Sequence, residues 1–250
     1  MTGTLLPESV SLLAASVLVT ASFFTAALTA AAGIGGGLLM LALMTYLIPV
    51  SVLIPVHGLV QLGANSSRTF VQRADVDWRI TRIFLCGSLF GAIAGAMIAV
   101  QLPTQLLQAI LGSFILILVW LNLPKVLSPS KLTIGLGGLV TTFVSMFVGA
   151  TGPLVAVFLN NLFENHRQMV ATHGSTMVAQ HGVKIVAFGL AGFAFADWLA
   201  LVAGMVAAGF LGSKAGTMLM YSLPEKKLQL IFKVVLTLAA LDLLRRSVMA

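Results

Sequence analysis

The sequence predicts an all-α polytopic membrane protein made of two inverted-topology repeats. Each repeat holds about five helical segments, with short or broken helices at glycine motifs. Three observations carry this reading. The chain is 59% hydrophobic and only 8% charged, against roughly 25% charged in soluble domains. Apolar blocks of helix-spanning length recur along it. A pattern in the first half returns in the second after 116 positions: Gly33, Gly36, Leu38, His57, Gly58, Asn65 and Arg68 fall on Gly149, Gly152, Leu154, His173, Gly174, His181 and Lys184.

The apolar segments of the first half run over about 10–32, 35–48, 51–72, 79–101 and 104–122. Residues 1–9 hold no Lys or Arg, so the charged start of a signal peptide is missing and Val10–Ala32 reads as a retained membrane helix. The second segment of each half is short against a roughly 30 Å hydrocarbon core, and reads either as a helix that stops short or as half of a broken helix. In the second half the segments run over about 132–149, 152–163, 167–194, 197–220 and 225–244. The expected division is one integral membrane domain of two repeats, 1–124 and 125–250.

Later parts of the halves match at a shift of 121: Gly91 and Gly95 answer Gly212 and Gly216, and Leu102-Pro103 answers Leu223-Pro224. Each G-x-x-x-G pair lets two helices approach closely. Lys and Arg mark cytoplasmic loops. Arg68, Arg73, Arg79 and Arg82 cluster between the third and fourth segments, whereas the counterpart around 189–198 holds only Asp197. The turn at Leu102-Pro103 is uncharged, and its counterpart carries Glu225, Lys226 and Lys227. Corresponding loops therefore face opposite sides, which is the mark of an inverted repeat. Arg245 and Arg246 run against this assignment.

The net charge of +7 comes from segment ends rather than a basic run, so no nucleic-acid partner is expected. Cys86 is the one cysteine, which excludes an internal disulfide and a cysteine metal cluster. No cofactor or metal is expected. The expected partners are a small anionic substrate and the lipid bilayer, with a homodimer left open.

His57, Gln61, Asn65 and Arg68 are spaced by four, four and three and share one helical face. His173, His181 and Lys184 repeat that face, with Met177 where Gln61 stood. Ionisable groups at membrane depth face a bundle interior or a cavity. Gly33-Ile34-Gly35-Gly36-Gly37 can unwind a helix, and the helix that restarts offers free N–H groups and a positive dipole end, a ready anion site. Gly149-Ala150-Thr151-Gly152-Pro153 repeats the arrangement. The candidate substrate-binding residues are Gly35, Gly36, Gly37, His57, Gln61, Asn65, Arg68, Thr151, Gly152, His173, His181 and Lys184. No carboxylate lies in these faces, which argues against an acidic Na⁺ or Ca²⁺ site.

Plainer readings stand beside these. Arg68, near a segment end, equally reads as a cation snorkelling to the headgroups. Asn65 equally reads as interhelical glue. A lone buried His is often a satisfied core residue, His166 reads as a solvated loop residue, and three His could hold a metal although the usual carboxylate or thiolate partners are missing.

The stretch Gly33-Ile34-Gly35-Gly36-Gly37-Leu38-Leu39 resembles the G-x-G-G-G-x-[LI] signature of the sulfite exporter TauE/SafE family of membrane transporters. Val76-Asp77-Trp78-Arg79 resembles its V-D-W-R inter-helix loop, and Leu102-Pro103 followed by Leu107 and Leu111 resembles its repeat-closing helix. The resemblance implies transport of sulfite, sulfonates or related small anions across the bacterial inner membrane. Two rival classes remain at this point: a membrane enzyme using His as base on a lipid or acyl substrate, for which Ser66, Ser67 and Ser175 have no acidic orienter nearby, and a structural subunit.

Overall fold

The computed structural model describes residues 6–32, 35–99, 101–121, 130–219 and 225–249. Gly33 and Ile34 of the first glycine run, Lys125 of the inter-half loop and the Leu223-Pro224 turn lie outside the described residues, as do the side chains of His166 and of residues 225–229. The described residues form ten α-helices and no strand: α1 Leu12–Ala32, α2 Gly36–Leu47, α3 Val50–Val71, α4 Trp78–Ala99, α5 Thr104–Trp120, α6 Lys131–Val148, α7 Gly152–Asn160, α8 His166–Leu190, α9 Leu199–Leu219 and α10 Glu225–Met249. The ten expected segments correspond one to one with these helices.

Local chemistry sets the boundaries. Ser130 caps α6 through a reciprocal pair with Thr133. Asn165 caps α8 by accepting from the Arg167 and Gln168 backbone N–H groups. His166 is thus the first residue of α8 rather than part of the preceding loop. Gly35 precedes α2 at φ 111° and Gly149 follows α6 at φ 76°, a region that favours glycine. α10 runs past the expected end near 244 to Met249, because Asp242 pairs with Arg245 at 2.7 Å and Arg246 at 2.6 Å within the helix.

Among the described residues, stretches of α1, α4 and α6 and the run Phe195–Gly216, which leads into α9, are long and apolar enough to cross a membrane. α2 and α7 have 12 and 9 residues, which at about 1.5 Å per residue cover only part of the bilayer.

The packing pairs helices across the two halves. α4 lies along α6 and α1 along α9, while α5 packs on α10 and α3 on α8. The glycines make the first two pairs close. A Cβ on Gly91 would strike the Leu139 carbonyl of α6, and one on Gly212 or Gly216 would strike the Phe23 or Ala27 carbonyl of α1. Hydroxyls add bonds between helices: Thr142 donates to Ser88 at 2.9 Å along the α4–α6 seam, and Thr81 and Ser175 bond at 2.7 Å between α4 and α8. The arrangement brings α3 and α8, which carry the polar faces, against each other, with the short helices α2 and α7 packed beside them.

Candidate functional site

The two histidines make the same bond in their own halves. His57 on α3 donates from Nε2 to the Gly37 carbonyl in the first turn of α2, at 2.9 Å. His173 on α8 donates from Nε2 to the Gly152 carbonyl in the first turn of α7, at 3.0 Å. A carbonyl only accepts, so Nε2 carries the proton in each neutral ring and Nδ1 is left as an acceptor.

Arg68 lies between the halves. Its Nη2 donates to Asn65 Oδ1 at 2.8 Å and to His173 Nδ1 at 3.2 Å. Asn65 in turn donates to the Gln61 carbonyl at 2.8 Å, and the Gln61 amide stands 3.4 Å from His57 Nε2. Arg68 Nε is buried with no hydrogen-bond partner. The guanidinium therefore points inward rather than snorkelling to the surface.

These groups border a cavity of about 70 Å³. Since a water molecule takes roughly 30 Å³ of liquid, the space suits an ion of a few heavy atoms. Of the twelve residues singled out in the sequence, Gly35, Gly37, His57, Gln61, Asn65, Arg68, Gly152, His173 and His181 line it. Gly37 lies close to the Gln61 amide, since a Cβ there would stand 3.0 Å from Gln61 Nε2. The N-termini of α2 and α7 both border the space, and first-turn N–H groups have no acceptor within their own helix.

Gly36, Thr151 and Lys184 are placed elsewhere. A Cβ on Gly36 would collide with Thr29 and the Thr25 carbonyl of α1, so Gly36 lets α2 lie against α1. Thr151 is fully buried and accepts from Gln180 Nε2 at 2.5 Å. Lys184 is fully buried and donates from Nζ to the Ser145 carbonyl at 3.2 Å and the Gly149 carbonyl at 2.9 Å. It therefore sits at the C-terminal end of α6, where free carbonyls and the negative dipole end attract a cation.

Several residues that matter here carried no distinct signal in the sequence. Thr29 lines the cavity with no mark in the sequence to single it out, and Leu38, Ala150, Pro153 and Met177, legible there only as members of the repeated pattern, complete the wall. Gln180 holds Thr151 by a bond that no spacing rule foretells. Gly58 and Gly174 are legible only as neighbours of the histidines. Among the described residues no group of three His, Cys, Asp or Glu side chains is placed to hold a metal ion.

Residues 18–243 match the family model described as sulfite exporter TauE/SafE. The chain belongs to the sulfite exporter TauE/SafE family. No curated protein and no solved structure matches it. Members of the TauE/SafE family are integral membrane transporters, not enzymes, so the reading of a lipid- or acyl-modifying enzyme is set aside. A transporter of this family acts on a small anion, and an all-helical bundle with four candidate membrane spans fits that work.

Proposed function

We propose that this TauE/SafE protein is a secondary transporter that moves sulfite, a sulfonate or a related small organic anion across the bacterial inner membrane. The anion occupies the cavity between α3 and α8. The observation that carries this reading is Arg68: a guanidinium turned into a small cavity, bordered by two helix N-termini and, among the described residues, lined by no carboxylate. A small cavity with one cation, two positive dipole ends and no acid attracts a compact oxyanion. Gly35, Gly37, His57, Gln61, Asn65, Arg68, Gly152, His173 and His181 form its wall. Gly36, Thr151 and Lys184 serve it from outside the cavity by holding α2, α7 and the end of α6.

Transport proceeds by alternating access between inverted repeats at 1–124 and 125–250. The exchanged helix pairs support the repeat, because α4 on α6 becomes α9 on α1 under the sequence shift. The matched bonds of His57 and His173 support it too, and the loop charges support the inversion. A second, mostly apolar cavity of about 300 Å³ lies near the opposite end of α3, among Ile54, Pro55, Met146 and Phe188. The imidazoles couple the flux to protons.

The test is uptake of labelled sulfite into proteoliposomes, with and without an imposed pH gradient and with sulfonates and carboxylates as competitors. Saturable flux, lost in Arg68→Gln, is expected. Absence of flux for every anion, with folded and inserted protein, would overturn the reading. A flux indifferent to the pH gradient would overturn the proton coupling alone.

A further inference from the structure

We propose that Arg68 and Lys184 exchange roles when the site changes the side it faces: Lys184 leaves the end of α6 for Nδ1 of His57, and Arg68 leaves His173 for the end of α1. The inference rests on the alternating-access reading above and names the contacts that distinguish its two states.

The two halves match in sequence and differ in structure. Arg68 donates to Nδ1 of His173, the histidine of the opposite half. The equivalent bond would run from Lys184 to Nδ1 of His57, but Lys184 donates to the Ser145 and Gly149 carbonyls instead. His57 Nδ1 is left buried without a hydrogen-bond partner. Its ring commits Nε2–H to the Gly37 carbonyl, so Nδ1 is an acceptor. A buried acceptor left unpaired is costly, and one closed to solvent can be served only from within the bundle. The backbone N–H groups of Gly149 and Ala150 are turned to the Ser145 and Val148 carbonyls.

Lys184 is placed to supply the donor. Its Nζ holds the Gly149 carbonyl at 2.9 Å, and a Cβ on Gly149 would lie 3.5 Å from His57 Nδ1. Its stem lies against Gly58, the residue after His57. A rotation of the last side-chain bonds moves Nζ from the one acceptor toward the other. Arg68 has the matching alternative. Ser145 answers to Thr29 under the shift of 116, and Thr29 lines the same cavity as Arg68. The Thr29 carbonyl is one of the last four of α1, which lack a donor within their own helix.

The spaces beside the site show the same inequality. Ile54, near the start of α3, lines the cavity of about 300 Å³. Its counterpart Val170, near the start of α8, packs against the apolar cluster of Phe84, Phe158 and Leu159. The two helices run antiparallel, since Gly58 meets Lys184 and Gly174 meets Arg68. One arrangement of the cations thus accompanies space toward one face and close packing toward the other.

The experiment labels single cysteines in the full-length protein in proteoliposomes, after Cys86→Ser removes the exposed native thiol. Ile54→Cys reports one face and Val170→Cys the other, and the readout is the ratio of their maleimide labelling rates. His57→Gln keeps a donor at the Nε2 position for Gly37 and loses the acceptor at Nδ1. It is expected to raise the ratio about tenfold, the margin of one hydrogen bond to a charged group. His173→Gln loses the acceptor that Arg68 uses now, and is expected to lower the ratio about tenfold. His57→Asn keeps an amide at the Nδ1 position and loses the Gly37 bond, and is expected to stay near the parent. A histidine that only holds α2 would reverse the order of Asn and Gln. That reversed order, or a ratio unmoved by His57→Gln, would overturn the inference. Sulfite flux with a sulfite-dependent ratio in the parent would then leave the alternating-access reading intact, and absence of both would overturn it as well.

Discussion

Gly58 on α3 lies directly against Lys184 on α8: a Cβ at Gly58 would come within 3.2 Å of Lys184 Cδ. The mirrored relation holds in the other half, where a Cβ at Gly174 would lie 3.4 Å from Arg68 Nε and 3.1 Å from Thr69 Oγ1. The glycine after each histidine thus clears room for the cation of the opposite half. A side chain larger than hydrogen at these points would press on Lys184 at the end of α6 or on Arg68 in the cavity wall. Gly174→Val is therefore expected to weaken sulfite binding by about tenfold or more, since overpacking a tight contact costs about 1–3 kcal/mol. Calorimetry on the variant, with a thermal melt to show that it is folded, checks this.

Arg68 should not be replaceable by lysine. Its Nη2 serves Asn65 and His173 together. A lysine keeps the charge but not the planar fork. Arg68→Lys is expected to retain only a minor part of the flux and Arg68→Gln almost none, a loss of roughly 1.5–3 kcal/mol for a hydrogen bond to a charged group. Initial rates of labelled sulfite uptake measure it.

Lys184 should behave differently from Arg68. Its Nζ bonds the end of α6, so removal leaves buried carbonyls unpaired. Lys184→Met is expected to lower stability by about 1–3 kcal/mol as well as lowering flux, whereas Arg68→Gln, which keeps an amide N–H near Asn65 and His173, lowers flux with a smaller change in melting temperature. Equal melting temperatures for Lys184→Met and wild type would refute this division of roles.

The two glycine breaks should tolerate no side chain. Gly35 and Gly149 hold φ 111° and 76°, and conformations of this kind cost other residues about 1–3 kcal/mol. A Cβ at Gly149 would also approach Leu41 Cδ1 at 3.1 Å and His57 Nδ1 at 3.5 Å. Gly149→Ala is expected to reduce both stability and flux, while Gly192→Ala, where nothing lies within 4 Å, is expected to cost strain only. Paired thermal melts and uptake assays separate the two.

The ion pair between Arg167 and Asp75 links α8 to the turn after α3 at 2.9 Å, but the arginine side chain is 79% exposed. Exposed pairs contribute about 0–1 kcal/mol. Arg167→Gln is expected to leave melting temperature and uptake nearly unchanged, and a large loss of either would show that this contact does more than decorate the surface.

The amino-acid sequence by itself determined the number and order of the helices, the two breaks and the polar stripe on each long central helix. These are local properties: hydropathy is summed over one segment, a glycine sets its own backbone freedom, and spacings of three and four fix one helical face. It also made His57 and His173 recognisable as a matched pair. What faces that stripe was decided only by the tertiary structure. Arg68 and Lys184 occupy equivalent places in the two halves, yet one turns into the cavity and the other binds the end of α6. Gly36 and Gly37 are neighbours in one motif, yet one packs on α1 and the other borders the cavity. A spacing rule says which side of a helix a residue is on. The identity of its partner depends on which helix the rest of the chain brings to that side, and at the closeness permitted by residues such as Gly58 and Gly174 that is a property of the packed bundle.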